Sequence, residues 1–454
     1  MEIKSVILPC QDTALDASRW DIEVENGKIR QLRPSDHTAS ETPKLLVPAL
    51  CHPHIHIDKP FILTGSHLSP DYSDLVPKTG SFDEALSSTS KAKERYTAED
   101  LLLRGSQLLA TSYEQGVTSL RAFVEIDHIT GTLPLKAAIQ LKSDFSHLLE
   151  MQICAFAQDP IFSTAHGEAN RTLITSLLRE YASSIQVLGT TPYVEESREA
   201  SLRNIEWAIT TAIELDLHLD FHLDYHLTPP SPNNPPLTFS VIELLKKHSW
   251  LALADKSKTI VLGHCTQLTV LSDLDLRQLA DTIVRSGLPI HFVGLPTSDM
   301  FMMGRPRSTA KVAQARPRGT LNVPSLIRDL GLSACIGVNN VGNAFTPFGS
   351  GDPLQLASWG VGIYQCGTIS DARMLYGCVS WLARKAIGLE GNIEDGHLVD
   401  GQSLQGMLLI ENRKFVKLPR VADGPELKVP FKQRTSFKDI VWDPPEIELR
   451  SIVR

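Results

Sequence analysis

The sequence predicts an α/β fold: a (β/α)8 TIM-like barrel joined to a small β-sandwich domain that both chain ends build together. Eight short apolar runs between residues 45 and 341 predict the barrel, because helical stretches separate most of them. Both chain ends instead alternate short apolar runs with turns, which is typical of strands. We therefore expect residues 47–399 to form the barrel, which carries the functional site, and residues 1–46 and 400–454 to form the second domain.

The individual strands are predicted from the position of each apolar run. At the N-terminus, SVILP (5–9) and WDIEVENGKIRQL (20–32) predict strands, with Asn26-Gly27 as a hairpin turn. Near the C-terminus, LQGMLLIENRKFVKL (404–418) predicts a strand, an Asn-containing turn and a further strand. The eight barrel strands are expected at LLVPALCHPHIH (45–56), TSLRAFVEI (118–126), LEMQICAFAQ (149–158), SIQVLGTTPY (184–193), LHLDFHLDY (217–225), TIVLGHC (259–265), PIHFVGLP (289–296) and SACIGVNNV (333–341).

Two polar segments are candidates for the rim of the site. Residues 66–98 are rich in Ser and Thr and are long for a loop after a barrel strand, so we expect a lid over the site. The Pro-rich TPPSPNNPP (228–236) follows the fifth strand and is a second candidate. Neither segment contains a motif that identifies a substrate.

Composition disfavours several classes of protein. The 454 residues contain 44 Lys and Arg against 52 Asp and Glu, a net charge of −8, which disfavours binding to nucleic acid or to anionic membranes. The apolar runs fall short of the ~20 residues that span a membrane, and the N-terminus lacks a secretory pattern. Seven scattered cysteines disfavour a disulfide scaffold. We therefore expect a cytoplasmic protein whose partner is a small-molecule substrate rather than a nucleic acid or a membrane. Barrels of the predicted kind often associate, so a homo-oligomer is a candidate assembly.

The segment CHPHIHIDK (51–59) contains the first candidate site. Alternate residues of a strand share a face, so its three histidines, His52, His54 and His56, are expected on one side. A row of histidines at the C-terminal end of a barrel strand has no packing role. Two neutral imidazoles two residues apart can bind one divalent ion. The pattern therefore favours a metal site.

The segment DLHLDFHLDYH (216–226) alternates apolar and polar residues. Its apolar face is expected to pack on helices, and its polar face to point into the barrel, which branched apolar side chains normally fill. His222 and His226 have the spacing of a zinc-binding helix, but Leu223 replaces the glutamate of H-E-x-x-H and the period is two. A site near the end of this strand is therefore predicted.

Two further residues are weak signals when each is taken alone. His264 ends the strand predicted in TIVLGHC, where a core or rim histidine is the alternative to a functional one. Gln158 closes CAFAQ, where an amide also serves to hydrogen-bond its own loop. Neither residue assigns a function without the others.

Together these segments resemble the amidohydrolase superfamily and, within it, the cytosine deaminase-like branch, which includes N-isopropylammelide isopropylaminohydrolase. The resemblance covers nearly the whole chain and includes the split β domain. It is carried by HPHIHIDK, GVTSLRAFVEID, CAFAQDP, DFHLD, LGHC, VGLPTSDMFMMGR and IGVNNVGNAFTPFGSGDPL. It implies a metal-dependent hydrolase that acts on a C–N bond of a small nitrogen heterocycle or cyclic amide.

The resemblance also implies roles for particular residues. His54, His56 and His222 are expected to bind one divalent metal, which we expect to be zinc, with iron and manganese as alternatives. His264 is expected to handle protons. Gln158 and Asp299 are expected to contact the substrate, as are three residues discussed next: Lys59, Tyr225 and Asn339.

Two positions depart from the family pattern. The glutamate that moves protons falls at Tyr225, and the aspartate that binds metal and acts as general base falls at Asn339. Three histidines still suffice for a zinc site, but an amide takes up no proton at neutral pH, so another group must do so. His264 is the first candidate and Asp224 the second, with orientation of a ligand histidine as the alternative role for Asp224. For Lys59, a salt bridge to a neighbouring carboxylate is expected rather than catalysis.

These departures support a second hypothesis from a different class. The chain is then a divergent family member with non-hydrolytic or metal-free chemistry, or a non-catalytic descendant that binds a ligand. The complete set of histidines argues against this hypothesis, because buried imidazoles are costly without partners.

Overall fold

The structure, a computed structural model, describes most of the chain: residues 1–11, 19–35, 42–64, 70–231, 234–304, 319–389, 397–419 and 426–453. The strands of this part, in chain order, are β1 (Glu2–Ile7), β2 (Arg19–Glu25), β3 (Lys28–Pro34), β4 (Lys44–Pro48), β5 (Leu50–His56), β6 (Val117–Glu125), β7 (Glu150–Ala157), β8 (Val187–Thr190), β9 (His218–Leu223), β10 (Ile260–His264), β11 (Ile290–Gly294), β12 (Ala334–Ile336), β13 (Met407–Ile410), β14 (Phe415–Leu418), β15 (Leu427–Pro430) and β16 (Arg450–Val453). The α-helices are α1 (Phe82–Lys93), α2 (Ala98–Glu114), α3 (Leu133–Asp144), α4 (Gly167–Glu180), α5 (Arg198–Leu215), α6 (Leu237–Lys247), α7 (Trp250–Leu253), α8 (Asp273–Ser286), α9 (Pro296–Met302), α10 (Val323–Arg328), α11 (Pro353–Ile363), α12 (Ile369–Cys378), α13 (Trp381–Ala386) and α14 (Phe437–Trp442).

Strands β5 to β12 form one eight-stranded parallel sheet in sequence order, which confirms the predicted barrel. Seven of these strands lie within the predicted apolar runs, and β6 begins one residue before its run, at Val117. The first and last strands meet through Asn339, whose N–H donates to His54 O at 3.1 Å and whose carbonyl accepts from His56 N at 2.9 Å. The backbone of Asn339 therefore closes the barrel beside the predicted site.

Two layers of side chains follow from the alternation along these strands. Outward residues such as Ile55 and Leu219 pack with helix residues in the main apolar core. Inward residues such as Cys51 and Val261 form a smaller apolar cluster with α13, which covers the N-terminal end of the barrel. The C-terminal ends of the strands are left for polar side chains.

Strands from both chain ends lie in a second, six-stranded sheet with the order β16-β13-β4-β1-β2-β3, which confirms the predicted small β domain. The predicted hairpin turn is present, with φ of 52° at Asn26 and 73° at Gly27, as a two-residue turn between twisted strands requires. The predicted strands in residues 404–418 do not pair with each other. β13 joins the six-stranded sheet beside β4, and β14 pairs with β15.

The segment predicted as a lid contains α1 and the start of α2, and its residues 66–69 lie outside the described part of the chain. Helix α1 begins after Ser81, whose Oγ accepts from the N–H of Glu84 at 3.2 Å. Its residues Phe82 and Ala85 pack in one apolar cluster with Tyr225, which follows β9 at the C-terminal end of the barrel. In the second predicted rim segment, residues 228–236, positions 232–233 are likewise outside the described residues. None of the described helices is both long and apolar enough to cross a membrane.

Candidate active site

Three buried histidines meet at the C-terminal end of the barrel. His54 and His56 end β5, and His222 lies near the end of β9. Each offers one ring nitrogen, and these three atoms all lie within 4.8 Å of one another. The ring centroid of His54 is 5.6 Å from that of His56 and 4.6 Å from that of His222. The structure thus brings together the three predicted metal ligands.

His52 does not belong to this group, although strict alternation predicts it on the same face. The pairing register between β5 and β6 shifts between His52 and Ile55, next to Pro53. The ring of His52 points away from the barrel, with Nε2 3.2 Å from Ser112 Oγ of α2. An irregularity that adds a residue to one strand reverses the faces on either side of it.

The nitrogens of the three histidines have the chemistry that a divalent metal requires. Both ring nitrogens of His54, Nδ1 of His56 and Nδ1 of His222 are buried without a hydrogen-bond partner among the described residues. Burial, assisted by the neighbouring positive and imidazole groups, lowers the pKa of all three rings well below its ordinary value. The rings are therefore neutral, and each has a lone pair available.

His264 faces these rings from the end of β10, at 5.1 Å between its ring centroid and that of His222. Strict alternation would place it with Ile260 and Leu262, which pack outward in the main core. Its φ of 64° breaks the alternation and turns the ring toward the site. The side chain of Tyr225 lies against it, at 3.8 Å between ring centroids.

Asp299 holds His264 from behind. Its Oδ1 is 2.8 Å from Nδ1 of His264, and its Oδ2 accepts from Thr320 Oγ1 at 2.7 Å. The carboxylate is fully buried and does not line the cavity next to the histidines. Asp299 therefore contacts His264 and does not reach the cavity wall, where a substrate contact was predicted.

Asn339, which the sequence predicts to replace a family aspartate, lies beside the histidines. Its Nδ2 donates to Ser298 Oγ at 2.9 Å, which fixes the orientation of the amide. Its Oδ1 is buried and has no partner among the described residues. The amide oxygen is therefore available as a weak ligand or as an acceptor.

The cavity beside these groups is small. Its volume is about 20 Å³, enough for about one water molecule. Aromatic side chains form much of the wall, and the predicted contacts Lys59 and Gln158 line it too. The lining residues are His56, Lys59, Phe82, Gln158, Tyr193, His222, Tyr225, His264, Asn339, Asn340 and Phe345.

Lys59 belongs to a buried group of charged residues, whose other members were not identified from the sequence. The ammonium group of Lys59 forms a salt bridge with Glu125 at the end of β6, which confirms the expected ion pair. Lys93 of α1 binds the other carboxylate oxygen at 3.0 Å and also Asp127 at 2.5 Å. Although burial opposes it, the two ammonium groups hold the pKa of Glu125 below its usual value. The position of Glu125 at the end of a barrel strand is the signal that could have found it.

Asp224 has a different environment from the histidines. Its carboxylate accepts hydrogen bonds from the N–H of Leu237 at 2.8 Å and from the N–H and Oγ1 of Thr238 at 3.0 and 2.6 Å. Its φ of 47° turns the side chain toward the start of α6, and it is not among the residues that line the histidine cavity. Both N–H groups belong to the first turn of α6, whose N-cap residue Pro236 makes no side-chain cap hydrogen bond, so Asp224 caps this helix from the end of β9.

The barrel fold is shared with solved structures. The chain is similar to 5-methylcytosine deaminase from Klebsiella pneumoniae liganded with phosphonocytosine, with a TM-score of 0.75, 20% identity and coverage of 100% of this chain and 95% of that one. It is also similar to N-isopropylammelide isopropylaminohydrolase from Burkholderia multivorans ATCC 17616, with a TM-score of 0.64, 19% identity and coverage of 90% and 91%. At these identities the likeness establishes the fold.

One curated protein matches part of the sequence. The chain is 24% identical over 125 residues to N-isopropylammelide isopropyl amidohydrolase of Pseudomonas sp. (strain ADP). The match covers 28% of this chain and 30% of that relative, less than a third of its length. No family model matches the chain.

Proposed function

We propose that the chain is a metal-dependent amidohydrolase of the cytosine deaminase-like branch, which hydrolyses a C–N bond of a small nitrogen heterocycle or cyclic amide. The observation that carries the proposal is the cluster of His54, His56 and His222, whose buried nitrogens lack partners and lie within 4.8 Å of one another. The names of the similar proteins, which act on such compounds, support the same class of reaction.

The three histidines are the proposed ligands of one divalent ion. Neutral imidazoles suit zinc first, and also iron and manganese. A divalent ion bound there supplies Lewis acidity, which lowers the pKa of water toward ~7 and provides hydroxide at neutral pH. Asn339 adds an uncharged oxygen where an aspartate would add a negative one, so proton uptake has to occur elsewhere.

His264 is the proposed proton carrier. Its Nδ1 lies 2.8 Å from Oδ1 of the Asp299 carboxylate, which leaves Nε2 as the atom that can accept a proton. Because the ring lines the cavity, Nε2 can take a proton from the attacking water and return it to the departing nitrogen. The proposal assigns Asp224 to helix capping rather than to this transfer.

The cavity wall favours a substrate with hydrogen-bond acceptors. Among the described residues that line it, none is Asp or Glu, whereas Lys59, Gln158 and Tyr225 offer N–H or O–H donors. Burial raises the pKa of Tyr225 well above its ordinary value, which keeps the phenol protonated. We therefore propose a planar ring with carbonyl or oxyanion groups.

A substrate of this size requires the site to open. The cavity of about 20 Å³ is far below the ~300 Å³ at which ligand pockets begin. Phe82 brings α1 over the cavity, and Lys93 at the other end of α1 is held by buried carboxylates. We propose that α1 moves as a lid, and that the structure represents its closed state.

A non-catalytic descendant is the second candidate function. It is favoured by the absence of a carboxylate among the described residues of the cavity wall, where Tyr225 and Asn339 occupy two family positions. In that case the site binds a heterocycle without turnover.

The first experiment is the metal content of freshly purified, untagged protein, measured by plasma mass spectrometry. About one equivalent of zinc, iron or manganese per chain is expected. A His54→Ala/His56→Ala variant should lose it. A His128→Ala/His166→Ala variant should keep the metal, because these two histidines are exposed and outside the cluster. Their rings stack on each other, with 3.9 Å between centroids.

The second experiment is a screen of heterocyclic amides and amines for turnover. Turnover that requires the metal supports the hydrolase. Protein that still binds no metal after attempted reconstitution overturns the mechanism, whereas bound metal and ligand without any turnover favour the second candidate.

A further inference from the structure

Two unpartnered atoms face each other beneath the histidine cluster. Nδ1 of His54 and Oδ1 of Asp220 are 4.0 Å apart, and both side chains have no exposed surface. Neither atom has a hydrogen-bond partner among the described residues. Buried polar atoms without partners are rare and costly, so a facing donor and acceptor at this distance call for an explanation.

The other oxygen of Asp220 is held firmly. Nη1 of Arg121 donates to Oδ2 at 2.8 Å, while its Nε donates to Gln152 Oε1 at 3.1 Å and its Nη2 to the carbonyl of Ile387 at 3.1 Å. Arg121 is fully buried and is thus held at three points. Because Arg121 fixes Oδ2, Oδ1 stays directed at His54.

Arg121 and Asp220 are charged residues in a part of the barrel interior that is otherwise largely apolar. The inward side chains at the same depth, such as Val261, Val293 and Cys335, are apolar, as the interior of such a barrel usually is. A buried ion pair is weak evidence for stability, because apolar side chains of similar volume often serve as well. An effect of Asp220 and Arg121 on the histidine cluster explains why charged residues are present here.

We propose that Asp220, fixed by Arg121, is a positioning residue that sets the tautomer of His54. A small ring movement turns the 4.0 Å approach into a hydrogen bond in which Nδ1–H of His54 donates to Oδ1 of Asp220. Nε2 then presents its lone pair to the metal, as in the carboxylate–histidine–metal arrangements of other proteins. Phe123 stacks on the His54 ring at 3.9 Å between centroids and allows this sliding movement in the ring plane. The inference rests on the proposed metal site.

Asp220→Asn is the sharpest test, since the side chain keeps its size. Nη1 of Arg121 requires an oxygen, so the new amide turns its NH₂ group toward His54. An NH₂ donor selects the tautomer with the proton on Nε2, which blocks the proposed metal-binding atom. We expect zinc affinity to fall about 10- to 100-fold, measured on apoprotein by competition with a chromophoric chelator.

A double variant separates the effect of Asp220 on His54 from a general loss of stability. Arg121→Met together with Asp220→Leu removes both charges and leaves no unpaired ion. His54 is then free to adopt either tautomer, so this variant should bind zinc less tightly than the wild type but more tightly than Asp220→Asn. That order distinguishes positioning from a role in stability alone.

Asp352→Asn is the matched control. Asp352 is also a buried partner of an arginine, with 2.9 Å between its Oδ2 and Nη1 of Arg450, and it lies outside the site. Its replacement should lower the melting temperature and leave zinc affinity within about twofold. Zinc affinities of Asp220→Asn and of the paired variant within twofold of the wild type overturn the inference. If the wild-type apoprotein itself binds no zinc, the proposed function fails instead.

Discussion

The imidazole of His264 and the carboxylate of Asp299 form a buried pair, with 2.8 Å between Nδ1 and Oδ1. The two residues are separated by 35 positions in the chain: His264 ends β10, and Asp299 lies in α9, which follows the adjacent strand β11. The contact fixes one ring nitrogen and leaves the other for proton transfer.

Asp299→Asn should reduce kcat/KM by about 10²- to 10⁴-fold, because the amide can stabilise the wrong tautomer of His264 and does not stabilise its charged form. Steady-state kinetics on a substrate from the screen measures the effect, and metal content should not change. Thr320→Val, which removes one of the two donors to Oδ2 and leaves the N–H of Leu295, should reduce kcat/KM by about tenfold. A loss below threefold in Asp299→Asn would contradict the role of His264 as proton carrier.

Asp224→Ala should lower the free energy of unfolding by about 1–2 kcal/mol, because the start of α6 loses its cap. Urea denaturation measures this change, and kcat/KM should stay within about twofold. Ser272→Ala, which removes the cap of α8, is the comparison. A large loss of kcat with unchanged stability would instead make Asp224 the proton-transfer group.

Glu125→Gln should lower the free energy of unfolding by about 3 kcal/mol, since Lys59 and Lys93 lose a shared buried counter-charge. Glu214→Gln breaks the exposed pair with Arg179 and should change it by less than about 1 kcal/mol. Urea denaturation of both variants gives the comparison. Equal changes in the two would show that burial of Glu125 has no special role.

Phe82→Ala should speed access to the site several-fold, because it removes part of the cover over a cavity of about 20 Å³. The rate at which a chelator removes bound zinc measures access without any substrate. Phe415→Ala, an exposed position on β14, is the control and should leave that rate unchanged. An unchanged rate in Phe82→Ala would locate the entrance elsewhere.

Acid should destabilise the protein through His218 and His291. Burial lowers the pKa of His218 to about 3 and that of His291 to about 4, against about 6.5 in the unfolded chain. Above pH 6.5 both imidazoles are neutral in the folded and in the unfolded state, so they do not change the free energy of unfolding. Below it the unfolded state takes up protons that the folded state does not, so stability falls by about 2 kcal/mol per residue at pH 5.

The measurement is the free energy of unfolding between pH 7 and pH 5 for a His218→Gln/His291→Gln variant. Its pH slope should be shallower than that of the wild type. His147→Gln, which replaces an exposed histidine, is the control. The same slope in the wild type and the double variant would contradict the assignment.

Much of the barrel was predictable because its signals are local. Each strand is a short apolar run that ends in a change of composition, and each such run became a strand of the sheet. The pairing of residues 404–418 was not predictable in this way. β13 pairs with β4 and β16, neither of which is adjacent to it in the chain, and β14 pairs with β15.

The site was predictable where side chains follow from alternation, as for His54, His56 and His222. It was not predictable where the backbone departs from a regular strand. The register shift turns His52 outward, and the left-handed φ values turn His264 inward and Asp224 toward α6. Such departures depend on contacts between strands and are not written in local periodicity.

Local sequence is enough to specify the class of fold and the identity of the candidate ligands, because periodicity and residue chemistry act over a few neighbouring positions. Which charged residues pair with each other depends instead on the tertiary structure. Glu125 joins Lys59 and Lys93, Asp299 joins His264, and Asp220 faces His54. Barrel closure brings distant strand ends together, and in an interior from which water is excluded each of these charges needs a partner at close range.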